Sequence, residues 1–384
     1  MLDFLLGDID MAKNDNLHKA KDAKNDEFYT RIEDVAEELR HYKKHFAGKV
    51  VLCNCDDPTW SAFWRYFHLN FAELGLKKLI STHYDRTKPT YKMEYEGGDD
   101  NDVEVGVKTP LEGNGDFRSK ECLDLLDECD IVVTNPPFSL FREYVAVLMQ
   151  HQKKFLILGN MNALTYKEIF PLIRDNQLWY GASIHSGDRK FYVPNDYPLK
   201  ASGCGVDNNG QKFIRVKGVR WYTNLDYKAR HEKLVLWKNY TPEEYPKYDN
   251  YDAINVNKYS EIPCDYDGVM GVPITFIDYY CPEQFEIVAF RKGNDGKDLV
   301  FTREREFNRT FVSLYDVDSW DDKKCRRQNQ WETYLRENNN QAEIEPVDYF
   351  YPPSIKSRAA ETMSGLINGK ETYRRILICK KASI

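Results

Sequence analysis

Residues 131–138 read Ile-Val-Val-Thr-Asn-Pro-Pro-Phe, and this stretch decides the fold class. Ile131–Thr134 is a short apolar run rich in β-branched side chains, which predicts a buried strand. After Asn135–Phe138, apolar residues recur at helical spacing in Leu140–Gln150 and predict a helix. In an open parallel sheet, ligands bind beyond the carboxyl ends of the strands. The loop between this strand and this helix is therefore expected to lie where a reaction occurs.

The same alternation of strand and helix continues in both directions along the chain. Further buried strands are predicted at Lys49–Cys55, Leu79–Thr82 and Phe155–Leu158. Apolar residues at helical spacing fall in residues 31–46, 58–74, 119–127 and 165–175. Strands that alternate with helices in this way need crossover connections. The predicted fold class is therefore α/β, with a mostly parallel, doubly wound sheet and helices on both faces.

Two stretches interrupt this rhythm and suggest how the chain is divided. Residues 86–114 are too long for an ordinary connection, and alternation in Tyr91–Tyr95 and Val103–Val107 predicts an inserted hairpin with an acidic tip. Beyond residue 226 the pattern changes to short strands rich in Tyr and Pro. We expect a tail at residues 1–15, a main domain at 16–226 and a smaller mixed C-terminal domain at 227–384.

Composition narrows the class of protein. The chain has 384 residues, 42% of them hydrophobic, and a formal net charge of −7. This apolar content is enough for a folded core, and no run of about twenty apolar residues predicts a membrane span. The 9 cysteines contain no Cys-x-x-Cys pair and read as reduced thiols in a cytoplasmic protein without a metal site. An overall acidic balance argues against nonspecific binding of polyanions. It is still compatible with a nucleic-acid enzyme whose positive charge is confined to one groove.

The residues of the Asn135–Phe138 loop suit chemistry on an amino group attached to an aromatic ring. Such an amine is a poor nucleophile because its lone pair is delocalised, and two hydrogen-bond acceptors would draw it toward a reactive geometry. The side-chain oxygen of Asn135 and the carbonyl of Pro136 can be those acceptors. Pro136 and Pro137 together fix the direction of that carbonyl, because each proline fixes its own φ and Pro137 also restricts Pro136. Phe138 can stack on a base that has been flipped out of a duplex. The alternative is a turn that merely closes a strand.

This loop resembles the fourth motif of the adenine-N6 methyltransferases that use S-adenosylmethionine, written (Asp/Asn/Ser)-Pro-Pro-(Phe/Tyr/Trp). The chain as a whole looks most like the EcoRI-type DNA adenine methyltransferase family. The segments that carry the resemblance are KNDEFYT at 24–30, CNCDDPTWSAFW at 53–64, GLKKLISTHYD at 75–85, GDFRS at 115–119, TNPPFS at 134–139, GVMGVPITF at 268–276, PEQFEIV at 282–288 and YRRILICKK at 373–381. Residues from about 295 to 370 carry none of this resemblance and are expected to be an elaboration of this protein.

The resemblance implies a class I, Rossmann-like methyltransferase domain that binds S-adenosylmethionine. Phe28, Tyr29 and Thr30 would cradle the methionine end of this cofactor, and Asp85 would accept hydrogen bonds from its ribose hydroxyls. Asp116 and Phe117 would meet its adenine.

The first loop of the cofactor site departs from most methyltransferases, because it reads CNCDDP and contains no glycine. The EcoRI-type family has a similar Asn-Cys-Asp-Asp-Pro segment, which implies that Asn54, Asp56 and Asp57 take part in cofactor binding. The other interpretation is a degenerate site in a protein that binds DNA without catalysis.

The C-terminal domain is expected to recognise the DNA target. A basic run formed by Lys323, Lys324, Arg326 and Arg327 could contact phosphates, or it could be ordinary solvated surface. The segment Gly268–Pro273 could insert into the gap left by a flipped base, or it could be a buried turn.

Taken together, these features predict a site-specific enzyme that methylates adenine N6 in double-stranded DNA. It would act as a monomer in restriction-modification or in the protection of phage or host DNA, with any restriction endonuclease acting independently. The alternatives are an RNA adenine methyltransferase and a catalytically inactive DNA-binding homologue.

Overall fold

The computed structural model describes two parts of the chain. They are residues 28–290, except 56, 86, 88, 196, 200–202 and 249–251, and residues 366–382, except 368, 369 and 374. The chain divides into two compact units between Arg230 and His231. None of the helices in these two parts combines the length and the hydrophobicity that a membrane span requires.

The first unit contains eleven strands and six α-helices among its described residues. The strands are β1 (Val50–Cys53), β2 (Lys78–Thr82), β3 (Tyr91–Tyr95), β4 (Val107–Pro110), β5 (Ile131–Thr134), β6 (Lys154–Asn160), β7 (Trp179–Tyr180), β8 (Asp188–Tyr192), β9 (Gly205–Val206), β10 (Lys212–Lys217) and β11 (Val219–Thr223). The helices are α1 (Ile32–Leu39), α2 (Ala62–Leu69), α3 (Phe71–Leu74), α4 (Lys120–Glu128), α5 (Phe141–Gln150) and α6 (Phe170–Arg174).

The main sheet has eight strands in the order β4-β3-β2-β1-β5-β6-β11-β7. The pairs β2-β1, β1-β5 and β5-β6 are parallel, and Val51 in β1 is in register with Leu79 on one side and Ile131 on the other. The outer pairs are antiparallel. The predicted α/β class with a mostly parallel core is confirmed. A separate sheet of three antiparallel strands has the order β8-β10-β9.

The central strands are buried along their whole length. All residues of β1 and β5 are buried, and successive side chains of a strand point to opposite faces, so both faces of the sheet are covered here. The core around these strands includes large aromatic side chains from α2 and β11, namely Phe63, Phe67 and Trp221. This packing holds the carboxyl ends of the parallel strands in fixed positions, which matters for the loops that follow them.

Several predicted helices are shorter than the periodicity suggested. The helix expected from Pro58 begins at Ala62, where the Ser61 hydroxyl accepts a hydrogen bond from the Trp64 backbone N–H. It is interrupted at Asn70, and α3 then ends at Gly75, whose φ of 64° is the left-handed conformation that glycine adopts easily. The predicted helices at 31–46 and 165–175 likewise contract to α1 and α6.

The inserted hairpin exists, but its second strand is β4 at Val107–Pro110 rather than Val103–Val107. Residues before β4 form a loop whose carbonyl oxygens face α2. The indole Nε1 of Trp64 donates to the carbonyl of Val103 at 2.9 Å, and Nε2 of His68 lies 2.9 Å from the carbonyl of Val105. These contacts occupy backbone groups that the predicted strand would have needed.

The second unit contains a four-stranded sheet and a separate pair of strands. The described strands of this unit are β12 (Ala253–Asn255), β13 (Val269–Pro273), β14 (Phe285–Phe290), β15 (Leu366–Ile367), β16 (Lys370–Glu371) and β17 (Arg375–Lys380). The sheet order is β12-β13-β17-β14, and β15 pairs with β16 alone. All of the Gly268–Pro273 segment except Gly268 is therefore strand and not a flexible wedge or a turn, because it pairs with β12 and β17 and because Met270 and Val272 are fully buried. Gly271 allows close packing, since a Cβ there would lie 2.3 Å from the Tyr248 hydroxyl.

Candidate active site

The side chain of Asn135 is held by one end only. It follows β5 directly and is 7% exposed. Its Nδ2 donates a hydrogen bond of 2.6 Å to the backbone carbonyl of Phe28, which fixes the orientation of the amide. Its Oδ1 is buried and has no hydrogen-bond partner. A buried acceptor without a partner is unfavourable by about 1–3 kcal/mol, so this oxygen is a candidate for binding a donor from a substrate.

The rest of the loop is shaped by its two prolines. Pro136 is buried and Pro137 is half-buried, with a φ of −54° that the proline ring imposes. The carbonyl of Pro137 accepts a hydrogen bond from the Leu140 N–H at 2.9 Å, which closes the single turn that leads into α5. The direction of the backbone after Asn135 is thus fixed by covalent geometry and by this turn.

Aromatic rings surround the loop. The half-buried Phe138 ring meets Phe28 edge-on at a centroid distance of 5.9 Å and lies 6.4 Å from Phe191 of β8. Phe28 also contacts the ring of Tyr197 at 6.4 Å. The structure therefore brings together two predicted segments that are far apart in sequence, Phe28–Thr30 and Asn135–Phe138.

The other two residues of the Phe28–Thr30 segment differ in exposure. Thr30 is 6% exposed and its buried hydroxyl has no hydrogen-bond partner, like Oδ1 of Asn135. Tyr29 pairs with Tyr192 of β8 through two backbone hydrogen bonds, and its ring lies 3.7 Å from that of Trp60. The small three-stranded sheet thus anchors this segment beside the Asn135–Phe138 loop.

Asn54, the residue after β1, is turned toward the protein interior. Its Oδ1 accepts a hydrogen bond from the hydroxyl of Tyr144, which lies in the first turns of α5. The Tyr144 ring in turn packs edge-on against the buried ring of Phe117, with centroids 5.0 Å apart. Asn54 and Phe117, both predicted to bind cofactor, therefore share one aromatic neighbour that sequence analysis did not identify.

Asp57 is the centre of a hydrogen-bonded group. Its Oδ1 accepts from the backbone and hydroxyl of Thr59, at 2.9 and 2.6 Å, and from the hydroxyl of Tyr91 at 2.7 Å. His83 lies 3.5 Å from its Oδ2. Burial acts to raise the pKa of Asp57, but the hydrogen bonds from Thr59 and Tyr91, together with His83, hold it below its ordinary value. Asp57 is thus a stable carboxylate that ties the loop after β1 to β3.

The loops that carry Asp85 and Asp116 lie against each other. The Asp85 N–H donates to the carbonyl of Asn114 at 3.0 Å. Between Asn114 and Asp116 stands Gly115, with a φ of 76°, and a Cβ there would lie only 1.9 Å from the carbonyl oxygen of His83. Only glycine permits this approach, so Gly115 shapes the contact between the two loops, a role that sequence analysis did not identify. The signal was present as a glycine immediately before Asp116.

Both acidic side chains of these loops already have partners within the protein. Oδ1 of Asp85 accepts from the backbone and hydroxyl of Thr87, at 2.8 and 2.9 Å. Asp116 binds the guanidinium of Arg118 through both oxygens, at 3.0 and 2.8 Å, and this hydrogen bonding lowers the pKa of its carboxyl. Arg118 also contacts Glu143 of α5 at 2.9 Å.

Some predicted residues cannot be placed. Asp56 and the basic run Lys323, Lys324, Arg326 and Arg327 lie outside the described residues, as does the predicted tail at 1–15. Among the residues that are described, no group of three His, Cys, Asp or Glu side chains is arranged to hold a metal ion.

Comparison with known proteins identifies the family. The family model described as adenine-specific methyltransferase EcoRI matches residues 16–381. The chain is 50% identical over 305 residues to the type II methyltransferase M.EcoRI of Escherichia coli, covering 75% of this chain and 93% of that protein. It is 44% identical over 275 residues to M.MpnI of Mycoplasma pneumoniae, covering 71% of this chain and 84% of that protein.

No solved structure matches the chain. The family match extends over nearly the whole sequence and includes both the Phe28–Thr30 segment and the Asn135–Phe138 loop. It confirms the resemblance expected from the sequence motifs. The chain belongs to the EcoRI family of adenine-specific methyltransferases.

Proposed function

We propose that this site-specific DNA adenine methyltransferase transfers a methyl group from S-adenosylmethionine to N6 of an adenine flipped out of double-stranded DNA. The family and its type II members support an enzyme that methylates adenine in DNA. The single structural observation that carries the proposal is the buried, unpaired Oδ1 of Asn135, whose amide is oriented by the carbonyl of Phe28. An RNA methyltransferase or an inactive homologue is less well supported, because the matching family acts on DNA and the catalytic loop is intact.

The proposed role of Asn135 is to accept a hydrogen bond from the adenine amino group. The carbonyl of Pro136 accepts the second hydrogen, and the two acceptors together favour a tetrahedral nitrogen whose lone pair can attack. Phe138 stacks on the flipped base. Solvent does not reach Oδ1 in this conformation, so a base binds only after neighbouring side chains move. No strong base is needed, because the methylated ammonium group is acidic enough to lose its proton to water.

The residues around the site fit the proposed cofactor. S-adenosylmethionine, when bound, supplies an electrophilic methyl group on a sulfonium ion. The unpaired hydroxyl of Thr30 is suited to hold its carboxylate, and the buried ring of Phe117 to border its adenine. Asp85 remains the proposed partner of the ribose hydroxyls. Alignment of the two reactants in one site supplies most of the rate acceleration.

We further propose that the enzyme works as a monomer in the cytoplasm, independently of any restriction endonuclease. Both segments that form the catalytic site, Phe28–Thr30 and Asn135–Phe138, come from one chain, which supports this view. The basic run at residues 323–327 is the proposed phosphate contact of the second unit.

Sequencing that detects modified bases tests the proposal. DNA from cells that express the wild type should carry N6-methyladenine at one short sequence motif, and DNA from cells that express Asn135→Ala should not. Isothermal titration should show that both proteins bind S-adenosylmethionine. Unmodified DNA together with methylated RNA would overturn the choice of substrate, and a wild type that binds no cofactor at millimolar concentration would favour an inactive homologue.

A further inference from the structure

Helix α5 begins directly after the catalytic loop, and its first residues contact two other loops. Tyr144 is 1% exposed, and its hydroxyl donates to Oδ1 of Asn54 beyond β1. Its ring packs against Phe117 in the loop before α4. One side chain on α5 therefore contacts two residues that are proposed to bind the cofactor.

The residue before Tyr144 makes a second connection to the loop that precedes α4. Glu143 contacts the guanidinium of Arg118 at 2.9 Å, and Arg118 binds both oxygens of Asp116. This ion pair is partly exposed and contributes modestly by itself. The buried Tyr144 contact is stronger because water does not compete for it.

We propose that Tyr144 is a positioning residue that couples the cofactor loops to the Asn135–Phe138 loop. It acts through Asn54 and Phe117 on the cofactor side, and through the start of α5 on the catalytic side. The inference rests on the proposed function, since it assigns Tyr144 to the same site.

The chemistry of Tyr144 suits this role. Burial raises the pKa of its hydroxyl well above the ordinary value, so the group stays protonated and remains a donor at any working pH. The hydroxyl fixes the side chain of Asn54, whose Oδ1 also has the thiol of Cys55 nearby, with Sγ at 3.7 Å. Loss of the hydroxyl would leave Oδ1 of Asn54 buried without a strong donor.

Tyr144→Phe tests the proposal because it removes the hydroxyl and keeps the ring. Isothermal titration should show affinity for S-adenosylmethionine about tenfold weaker, as expected for one lost buried hydrogen bond. At saturating cofactor and DNA, kcat should also remain about tenfold below that of the wild type, because the catalytic loop is no longer aligned.

Tyr227→Phe is the matched control. Tyr227 is also a buried tyrosine of the first unit, but its hydroxyl donates to the carbonyl of Tyr180, away from the cofactor loops. Each variant loses one buried hydrogen bond, so Tyr227→Phe and Tyr144→Phe should lower the thermal unfolding temperature by similar amounts. Tyr227→Phe should nevertheless keep cofactor affinity and kcat within twofold of the wild type. Equal kinetic effects in both variants, or none in Tyr144→Phe, would overturn the proposal.

A double-mutant cycle identifies the route. If Tyr144 acts on the cofactor through Asn54, the Asn54→Ala/Tyr144→Phe double variant should bind S-adenosylmethionine no more weakly than Asn54→Ala alone. Fully additive losses would contradict this coupling. If the wild type itself fails to bind S-adenosylmethionine, the proposed function is wrong. If the wild type binds and methylates DNA normally but Tyr144→Phe is unaffected, only the role of Tyr144 is wrong.

Discussion

The Asn135–Phe138 loop, proposed to be the catalytic loop, differs from the loops proposed to hold the cofactor in whether its polar groups have partners. Oδ1 of Asn135 is buried and unpaired. The carboxylates of Asp57 and Asp116 are instead bound by Thr59, Tyr91 and Arg118. The first region leaves one buried acceptor unpaired, whereas the second uses its charged groups to fix the shape of the backbone.

In the proposed mechanism, specificity for the reacting amino group resides in the unpaired acceptor of Asn135. A buried, unpaired acceptor destabilises the folded protein by about 1–3 kcal/mol. This penalty is removed only when a ligand with a matching donor binds. Carboxylates that already accept several hydrogen bonds gain less from a new ligand. We therefore expect substitutions in the catalytic loop to affect the reaction rate and substitutions in the acidic loops to affect stability and loop geometry.

The largest expected effect is that of Asn135→Ala. Loss of one preorganised hydrogen bond to the reacting group lowers rates by about 10²–10³ in comparable sites, and we expect kcat to fall by at least that factor. Affinity for S-adenosylmethionine, measured by titration calorimetry, should change little.

Asn135→Asp provides a sharper comparison at the same position. It keeps an acceptor but loses the donor to Phe28, so it should retain more activity than Asn135→Ala. Turnover by Asn135→Ala equal to that of the wild type would remove this residue from the mechanism.

Gly115→Ala should have the next largest effect. Its new Cβ would lie 1.9 Å from the His83 carbonyl at a φ of 76°, so the loop must shift. We expect a loss of about 2 kcal/mol or more in unfolding free energy, measured by denaturant titration, together with weaker cofactor binding.

Gly48→Ala is the matched control, because Gly48 has a φ of 70° and nothing within 4 Å of the added Cβ. It should lose about 1 kcal/mol from backbone strain alone. Equal losses in the two variants would show that the close approach of the Gly115 loop is unimportant.

Asp57→Ala distinguishes a structural carboxylate from a ligand-binding one. The variant leaves the hydroxyl of Tyr91 and the backbone of Thr59 without their acceptor, and should lose about 1–2 kcal/mol of stability in denaturant titrations. At saturating cofactor its kcat should stay within a few fold of the wild type. A hundredfold loss of cofactor affinity at unchanged stability would instead place Asp57 among the direct cofactor ligands.

The smallest expected effect is a pH dependence at Asp116. Arg118 lowers the pKa of this carboxyl in the folded state. The pair therefore stabilises the folded protein at pH values above the ordinary Asp pKa of about 3.9. That contribution is lost as the pH falls through the lowered folded-state pKa. Because the pair is partly exposed, it is worth less than about 1 kcal/mol.

Thermal unfolding of the wild type and Asp116→Asn between pH 2 and pH 7 measures this contribution. The two unfolding temperatures should differ near neutral pH and converge at the acidic end. A difference that grows as the pH falls would have the wrong sign for a carboxylate paired with Arg118.

The centre of the site could be predicted from sequence because local signals agree there. Ile131–Thr134 was predicted and found as a strand, since a β-branched apolar run is followed at once by two prolines. The family segments also pointed to Phe28–Thr30, although nothing in local periodicity predicts that the Phe28 carbonyl orients Asn135 across a sequence separation of 107.

What escaped prediction depends on contacts between distant residues. Tyr144 reads as an ordinary apolar position of a helix, and its hydrogen bond to Asn54 becomes visible only when β1 and β5 are neighbours. The second hairpin strand was displaced because carbonyls of residues 103 and 105 bond to side chains of α2. Such tertiary partners override strand propensity without leaving a local mark in the sequence.

The position of β11 has a consequence for how the enzyme is made. β11 is the last strand of the main sheet in chain order, yet it lies between β6 and β7 and is the described partner of both. Until residue 223 leaves the ribosome, β6 therefore presents an open edge, and open edges are templates for aggregation. A fragment that ends before Val219 would contain the entire catalytic loop and still lack a closed sheet. The place of β11 in the sequence, rather than the location of the proposed catalytic residues, therefore sets the shortest fragment in which both edges of β6 are paired.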